Sequence, residues 1–361
     1  MSVPLFDAHT PRAALREEIR AAIDRVIDAE RFILGPEVAT FEQELADYCG
    51  ASQAIGVGNG TDAITIALRA MGVGAGDEVV VPSFTFYASA EAIAPTGATP
   101  VFCDIDAETY CLTAETVRAV LTPRTKAVIA VHLFGNVAPV AEIAALGVPV
   151  LEDAAQALGS DSAGGRPGGL GIAATFSFYP SKNLPAFGDG GAIVTSDEGI
   201  AERARILRFH GSRDKVDYEQ LGYNSRLDEL QAAILRVQLP HLEEWAAGRR
   251  AAARHYEQTG LGEVVGLPRA TPGSSPAWHL YVVSHPQVER LEAALTAAGI
   301  GCKAYYRTPV HRQAPMRAWG AAVELPATEQ AARTHLAIPM SSVLSREQAE
   351  EVLAAARNAD G

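Results

Sequence analysis

Cysteine is scarce in this 361-residue chain, and its spacing argues against both a disulfide framework and a zinc site. The four cysteines are Cys49, Cys103, Cys111 and Cys302, and no two of them form a C-x-x-C pair. Such a spread is typical of a reduced protein rather than of a disulfide framework or a zinc site. We therefore expect a cytoplasmic protein with no metal site.

Basic residues and long apolar runs are also few. Lys and Arg total 30 against 43 Asp and Glu, which gives a formal net charge of −13. An acidic surface repels phosphate backbones, so we expect no nucleic-acid partner. No apolar run approaches the roughly 18 residues that a membrane span needs, and we expect no membrane partner. The charged first twenty residues are also unlike a signal peptide.

Short apolar runs alternate with helical patterns along the first half of the chain. These runs lie at 54–57, 78–82, 99–104, 126–132, 148–153 and 192–195. The alternation predicts an α/β fold with a mostly parallel sheet, in which ligands bind at the carboxyl ends of the strands. A long helix is predicted from about Arg226 to 260. We expect a large domain over 1–240 and a smaller C-terminal α+β domain over 241–361.

The glycine-rich stretch GVGNGTDAI at 56–64 follows the first run and opens a helix. A helix N-terminus offers free N–H groups to a phosphate. Gly56 and Gly58 fit the dinucleotide pattern G-x-G-x-x-G, but its last glycine is replaced by Thr61, whose hydroxyl can itself donate to a phosphate. The alternative is a plain turn with Thr61 as the helix N-cap.

Two further stretches carry reactive groups. VLEDAAQALG at 150–159 places Asp153 and Gln156 just past a strand, where an acid either caps a turn or holds a protonated ring nitrogen or a metal. Glu152 faces the opposite way, so these two acids are not a paired catalytic set. Lys182 lies among aromatic residues and glycines, five residues after Ser177. Desolvation lowers the pKa of such a lysine and favours Schiff-base formation, the alternative being a surface loop.

Two later stretches complete the set. GYNSRLDELQAAIL at 222–235 predicts a capping box from Ser225 to Asp228 at the start of a helix. AYYRTPVHRQ at 304–313 gathers tyrosines, arginines and His311, which is typical of a ligand-facing loop or of a structural histidine.

In combination and order, these motifs resemble the DegT/StrS family of pyridoxal phosphate-dependent sugar aminotransferases. The resemblance runs from FILGPEVATFE at 32–42 to LAIPMS at 336–341. It implies the aspartate-aminotransferase (type I) fold and a homodimer with shared active sites. It also implies that pyridoxal 5'-phosphate is the cofactor, with pyridoxamine 5'-phosphate as its amino form.

The resemblance also implies roles for individual residues. Lys182 matches the Schiff-base lysine, and Asp153 matches the carboxylate that keeps the pyridine nitrogen protonated. The remaining positions match contacts to the phosphate (Gly60, Thr61, Asp62, Ser177, and Asn224 from the partner subunit), the ring face (Phe86), the ring hydroxyl side (Gln156) and the sugar nucleotide (Arg226, Tyr306, His311).

The implied reaction moves an amino group from an amino acid, expected to be L-glutamate, to a keto sugar nucleotide in deoxyaminosugar biosynthesis. The string S-K-N-L followed by G-D-G-G resembles the branch that acts on 3-keto sugars, whereas the 4-keto branch more often has G-E-G-G. We expect a dTDP-3-keto-6-deoxyhexose as substrate, with a UDP sugar or a 4-keto sugar as alternatives. Pro185 departs from the usual glycine.

Two other functions remain open on the sequence. A pyridoxal phosphate-binding regulatory protein need not keep a transferable lysine such as Lys182. A nicotinamide-linked dehydrogenase, suggested by GVGNG alone, fails at Thr61 and leaves Lys182 unexplained.

Overall fold

The computed structural model describes residues 3–7 and 9–359. Its α-helices are α1 (Thr10–Ala13), α2 (Arg16–Ala29), α3 (Pro36–Cys49), α4 (Gly60–Ala70), α5 (Ala88–Glu91), α6 (Ala114–Arg118), α7 (Val140–Ala144), α8 (Glu198–Arg208), α9 (Glu229–Gln238), α10 (Leu242–Thr259), α11 (Val288–Ala297), α12 (Arg317–Gly320), α13 (Pro326–Thr334) and α14 (Arg346–Ala356). Its strands are β1 (Gln53–Val57), β2 (Glu78–Pro82), β3 (Thr99–Cys103), β4 (Thr125–Val131), β5 (Val150–Asp153), β6 (Asp161–Ser162), β7 (Ala173–Ser177), β8 (Gly191–Thr195), β9 (Ser274–Ser275), β10 (Tyr281–Ser284) and β11 (His335–Ile338).

A seven-stranded sheet forms the centre of the molecule, in the order β1-β8-β7-β5-β4-β2-β3. Strand β8 is antiparallel to both of its neighbours, and the pairings among β7, β5, β4, β2 and β3 are parallel. The predicted α/β fold with a mostly parallel sheet is therefore confirmed. The last residues of β1, β5 and β7 and the first residue of β8 meet at one edge of the sheet.

Helices cover this sheet because its strands are apolar on both faces, as buried parallel strands are. Helix α4 packs against β7 and β8, and α3 packs against β1 and α9. All five residues of β2 and of β8 are buried. Within the described residues, no helix combines the length and the apolar character that crossing a bilayer requires.

The long helix predicted from Arg226 is wrong in two respects. Helix α9 begins only at Glu229, and a 3-10 turn at Leu239–His241 separates it from α10. Pro240 lies in this turn, and proline cannot donate the backbone hydrogen bond that a continuous helix needs. Strand β7 was also absent from the predicted runs, although it pairs with both β5 and β8.

The C-terminal part contains a second, two-stranded sheet in which β10 and β11 are antiparallel. Helix α14 packs against α10 and α11 beside it. The first described residues join this part, since Val3 forms a bridge with Ile300 and the Leu5 carbonyl accepts a hydrogen bond from Met340 N. A boundary near residue 240 stays a prediction, and residues 1, 2, 8, 360 and 361 of the two predicted domains lie outside the described residues.

Candidate active site

A cavity of about 730 Å³ opens at the edge of the sheet where β1, β5 and β7 end. Nine of the twelve predicted site residues line it, namely Gly60, Thr61, Asp62, Phe86, Asp153, Gln156, Ser177, Lys182 and Tyr306. The other three, Asn224, Arg226 and His311, are not among the lining residues. The cavity therefore brings together predicted residues that lie far apart in the chain, from Gly60 to Tyr306.

The N-terminus of α4 forms one wall of the cavity. The Asn59 side chain caps this helix by accepting a hydrogen bond from Asp62 N at 2.8 Å, so Asn59 and not Thr61 is the N-cap. This leaves the N–H groups of Gly60 and Thr61, and the Thr61 hydroxyl, free of any hydrogen bond within the described part of the chain. A helix N-terminus with free donors is suited to an anion.

Ser177, the last residue of β7, closes this wall. A Cβ atom on Gly60 would lie 2.8 Å from Ser177 Cβ, and one on Gly191 would lie 2.4 Å from the Asn59 carbonyl. These close approaches bring the Ser177 hydroxyl next to the free N–H groups of α4. Glycine at both positions is what allows the backbone to form this small polar cradle.

Asp62 points away from the cradle. Its Oδ2 accepts a hydrogen bond of 2.6 Å from the Ser225 hydroxyl, and Ser225 Oγ accepts another of 3.0 Å from Gly58 N. The predicted capping box from Ser225 to Asp228 is therefore wrong, because the Ser225 hydroxyl is used across the fold and Asp228 makes no side-chain cap. Since Asn59 already accepts from Asp62 N, only Gly60 and Thr61 offer free backbone donors.

Lys182 lies on the opposite wall, in the segment between β7 and β8. Burial lowers the pKa of its amine to about 8, although the nearby Asp153 carboxylate opposes this change. A substantial fraction of the amine is therefore neutral and nucleophilic at mildly alkaline pH. Pro185, which follows it, is buried, and its carbonyl accepts a hydrogen bond from Gln238 Nε2 at 2.8 Å.

Asp153 is the last residue of β5, and its carboxylate is held from two sides. Oδ2 accepts a hydrogen bond of 2.7 Å from the Ser89 hydroxyl, and Oδ1 accepts one of 3.2 Å from Ala155 N. Glu152 faces away from the cavity, as the sequence predicted, and accepts N–H groups from Gly168 and Gly171. Asp153 is thus the acid of this pair that reaches the cavity.

Aromatic and amide groups line the remaining wall. Phe86 is 55% exposed at the mouth, with its ring centroid 6.0 Å from that of Tyr306. Gln156 Oε1 accepts a hydrogen bond from Phe134 N at 2.6 Å, and its Nε2 lies 3.4 Å from the Tyr306 hydroxyl. These contacts fix the positions of the Gln156 amide and the Tyr306 ring.

Asn224 and Arg226 lie on either side of Ser225, outside the cavity of their own chain. Asn224 is exposed and forms a β-bridge with Phe209, while the Arg226 guanidinium lies 6.0 Å from the Phe209 ring. The role of Asn224 in the site of the partner subunit stays a prediction.

His311 lies in the protein core rather than at the cavity. Its ring is fully buried, with Nδ1 2.5 Å from Ser83 Oγ and Nε2 3.2 Å from Glu329 Oε1. Of the two interpretations that the sequence left open for this histidine, the geometry favours the structural one. Ser83 comes three residues before Phe86, so His311 ties the 304–313 segment to the strand end that carries Phe86.

Several lining residues were missed by sequence reasoning. Asn59 had a usable signal, because asparagine before a helical run is a favoured N-cap. Ser89, Phe6 and His279 had none, because they reach the cavity from a short helix, from the first described residues and from the segment before β10.

Pyridoxal phosphate, the cofactor implied by the resemblance, fits these residues. The cradle offers its phosphate two backbone donors and two hydroxyls, Lys182 offers a desolvated amine, and Asp153 offers a carboxylate to a protonated ring nitrogen. Among the described residues, no group of three or more His, Cys, Asp and Glu is arranged to hold a metal ion.

Two proteins of similar sequence extend over almost the whole chain. A dTDP-3-amino-3,4,6-trideoxy-alpha-D-glucose transaminase from Streptomyces venezuelae is 45% identical, over 98% of this chain and 95% of that protein. A protein from Geobacillus stearothermophilus named a pleiotropic regulatory protein is 44% identical, over 98% of this chain and 97% of the relative.

Solved structures are also similar to this chain over almost its whole length. The crystal structure of S. venezuelae DesV in complex with a ketimine intermediate has a TM-score of 0.94 at 44% identity, covering 98% of this chain and 97% of that one. NtdA from Bacillus subtilis, solved with bound cofactor PMP, has a TM-score of 0.89 at 27% identity, covering 96% and 82%. Residues 13–357 match the DegT/DnrJ/EryC1/StrS aminotransferase family. This chain belongs to that family and is a pyridoxal phosphate-dependent aminotransferase.

Proposed function

We propose that this enzyme transfers an amino group from L-glutamate to carbon 3 of a dTDP-3-keto-6-deoxyhexose. The observation that carries the proposal is the convergence of Lys182, Asp153 and the α4 cradle on one cavity, in a chain 45% identical to a dTDP-3-amino sugar transaminase. The resulting amino sugar would serve deoxyaminosugar biosynthesis.

Each residue of the cavity has a distinct task in this reaction. When bound, the cofactor withdraws electron density from the carbon that carries the amine. Lys182 Nζ would take the proton from that substrate carbon and deliver it to the cofactor, which requires a neutral amine near the working pH. The N–H groups of Gly60 and Thr61 and the hydroxyls of Thr61 and Ser177 would hold the phosphate, and Asp153 the protonated ring nitrogen.

Three further residues would orient the cofactor ring and the substrate. Phe86 would cover one face of the ring, which keeps water from the reacting carbon. Gln156 would contact the ring hydroxyl, and Tyr306, which is held beside Gln156, would face the sugar.

The choice of carbon 3 rests on the sequence G-D-G-G at 188–191. Asp189, the position where the 4-keto branch more often has Glu, is one of the residues lining the cavity. This supports a role for the Asp in substrate choice. A 4-keto sugar or a UDP sugar is the alternative substrate.

We also propose a homodimer in which Asn224 of one protomer completes the phosphate site of the other, with Arg226 beside the sugar nucleotide. The exposed segment before Asn224 supports this, since Val216, Tyr218 and Leu221 are 75%, 62% and 85% exposed. Apolar side chains grouped in this way are typical of a surface that a partner covers. We propose the cytoplasm as the location, a reducing compartment that suits four free cysteines.

A product assay tests the substrate. The purified enzyme would receive glutamate and either dTDP-4-keto-6-deoxyglucose or its 3-keto isomer, formed in situ by a ketoisomerase, and NMR would locate the new amine. We expect an amine at carbon 3 only when the isomerase is present. An amine at carbon 4 without the isomerase would overturn the choice of carbon and keep the enzyme class. Cofactor binding with no conversion by any amino acid would favour a regulatory protein.

A further inference from the structure

His279 is a cavity residue to which neither the reaction nor the sequence motifs assign a task. It lies just before β10 and is only 4% exposed. Its Nδ1 is buried and has no hydrogen-bond partner within the described residues. The Phe6 ring stacks against the imidazole, with the centroids 6.1 Å apart and the planes at 26°. Because Nδ1 is shut off from the cavity, a ligand there would meet Nε2, the other ring nitrogen of this cavity-lining residue.

The groups around His279 give this corner of the cavity a positive potential. Burial lowers the pKa of the imidazole well below its ordinary value, and the positive charges of Lys182 and Arg249 lower it further. The ring is therefore neutral at pH 7 and carries one donor and one acceptor nitrogen.

Arg249, on α10, is the cation behind this ring. It donates to the Trp278 carbonyl at 3.2 Å, and no carboxylate of the described residues pairs with it. Burial alone lowers its pKa to about 10. A partly buried guanidinium without an anion is costly, so an anionic ligand nearby would be stabilised.

An amino-acid donor must place its carboxylate close to Lys182, the residue whose charge also acts on the His279 ring. The donor amine has to reach the position of Lys182 Nζ, and the α-carboxylate is bonded to the carbon that carries the amine. Its oxygens therefore lie within about 4 Å of the amine. The other ionisable side chains that line the cavity, apart from tyrosines, are the acids Asp62, Asp153 and Asp189, which would repel it.

The backbone keeps His279 close to Gln156 as well. A Cβ atom on Gly135 would lie 2.9 Å from His279 N and 3.2 Å from the Gln156 carbonyl, so Gly135 brings the two segments into contact. His279 thus stands on the same wall as Gln156.

We propose that His279, with Arg249 behind it, binds the α-carboxylate of the amino-acid donor. This inference rests on the proposed function, because it assumes an amino-acid donor. It also explains why the cation is set back from the cavity surface. The same site must next receive an uncharged sugar ring, and a neutral imidazole can donate to a sugar hydroxyl as well as to a carboxylate, whereas a guanidinium facing the cavity would be left unpaired.

The first experiment measures the glutamate half-reaction alone, in single turnover, from the change in cofactor absorbance. We expect His279→Ala to weaken glutamate binding about 10- to 100-fold, the loss expected for one charge-assisted hydrogen bond. His279→Gln, which keeps an N–H donor, should recover most of it. Glutamate α-methyl ester lacks the charge, so its conversion should differ little between wild type and His279→Ala.

A second experiment needs no turnover. Succinate carries carboxylates but no amine, and it would be titrated into the cofactor-loaded enzyme. An anion bound beside the lysine-bound cofactor should raise the pKa of its visible absorbance band. We expect this shift in wild type and its loss in both His279→Ala and Arg249→Met. The matched control is His255→Asn, because His255 also has a buried, unpartnered Nδ1 but does not line the cavity.

The outcomes separate the inference from the proposed function. An unchanged glutamate affinity in a folded His279→Ala enzyme, or a loss confined to the KM for the keto sugar, would overturn the inference and leave the aminotransfer reaction intact. If no amino acid converts the bound cofactor of the wild-type enzyme to its amino form, the proposed function fails. A succinate shift that is the same in wild type and variants also overturns the carboxylate site.

Discussion

The Ser89 hydroxyl donates a 2.7 Å hydrogen bond to Asp153 Oδ2, and Thr85 Oγ1 lies 3.0 Å from the same hydroxyl. These two buried hydroxyls line the cavity beside Asp153 and hold its carboxylate in place. Ser89 therefore orients the carboxylate on which the proposed contact to the cofactor ring depends.

Replacing Asp153 and replacing Ser89 should lower the catalytic rate by unequal amounts. Asp153→Asn removes the charge that holds the ring nitrogen protonated, and we expect kcat to fall by about 10³-fold, the size of effect seen when an electrostatic stabiliser is lost. Ser89→Ala keeps the carboxylate and should cost only about tenfold, one hydrogen bond to a charged group. Single-turnover rates with glutamate would measure both. Equal losses in the two variants would contradict the assignment of the charge to Asp153.

The Lys182 amine predicts how the cofactor-free protein takes up pyridoxal phosphate. Only the neutral amine attacks an aldehyde, and its pKa is about 8. The rate of reconstitution, followed by visible absorbance, should therefore rise with pH up to about 8 and then level off. Lys182→Ala should give no such band, whereas Lys126→Ala, which removes an exposed lysine of β4 outside the cavity, is the control. A rate that keeps rising to pH 10 would indicate an ordinary exposed lysine.

His311 predicts a loss of stability rather than of substrate affinity. His311→Ala empties a fully buried position and removes the contact with Ser83, so we expect a loss of about 2–4 kcal/mol in the free energy of unfolding. The KM for the keto sugar should change little. Denaturant titration and steady-state kinetics would measure the two quantities, and a raised KM at unchanged stability would restore the substrate-facing role.

His311 also predicts the direction in which folding stability changes with pH. Burial lowers the pKa of His311 in the folded protein below 6.5, and the unfolded chain binds a proton first as the pH falls. Its contribution to stability is therefore present above pH 6.5 and is lost below that value. His335, whose pKa is lowered to about 4, acts in the same direction. The wild type should lose stability from pH 6.5 toward pH 4, and His311→Gln should lose less.

Shared active sites predict complementation between inactive variants. If Asn224 acts across the dimer, each active site takes Lys182 from one chain and Asn224 from the other. The Lys182→Ala and Asn224→Ala variants therefore lack groups that different chains bring to a site. Refolding an equal mixture should give roughly a quarter of the wild-type sites intact, because half the dimers are mixed and each has one complete site. Activity and sedimentation equilibrium would be measured together. A fully active monomer, or a mixture without activity, would contradict the role of Asn224.

Residues next to strand ends could be predicted from the sequence because parallel strands carry their carboxyl ends to one edge. Asp153 and the Gly60–Thr61 turn were found in this way. Lys182 was found by its apolar surroundings, and Ser177 by its place five residues before Lys182, since β7 was not among the predicted strands. Ser89 and His279 could not be found, since their roles depend on tertiary contacts with Asp153 and Phe6. His311 was ambiguous because a histidine has the same sequence signature in a core as on a loop. The division into domains at residue 240 remains a proposal, with Pro240 as the natural break.

Strand β8 lies between β1 and β7, although it is made after both. During synthesis, the segments that carry Gly60, Asp153 and Ser177 therefore leave the ribosome before β8 does. Gly191, the first residue of β8, packs against Asn59 only after that. A nascent chain that stops at Ser177 has the phosphate ligands but not their arrangement. Cofactor capture during synthesis must wait for the return of β8.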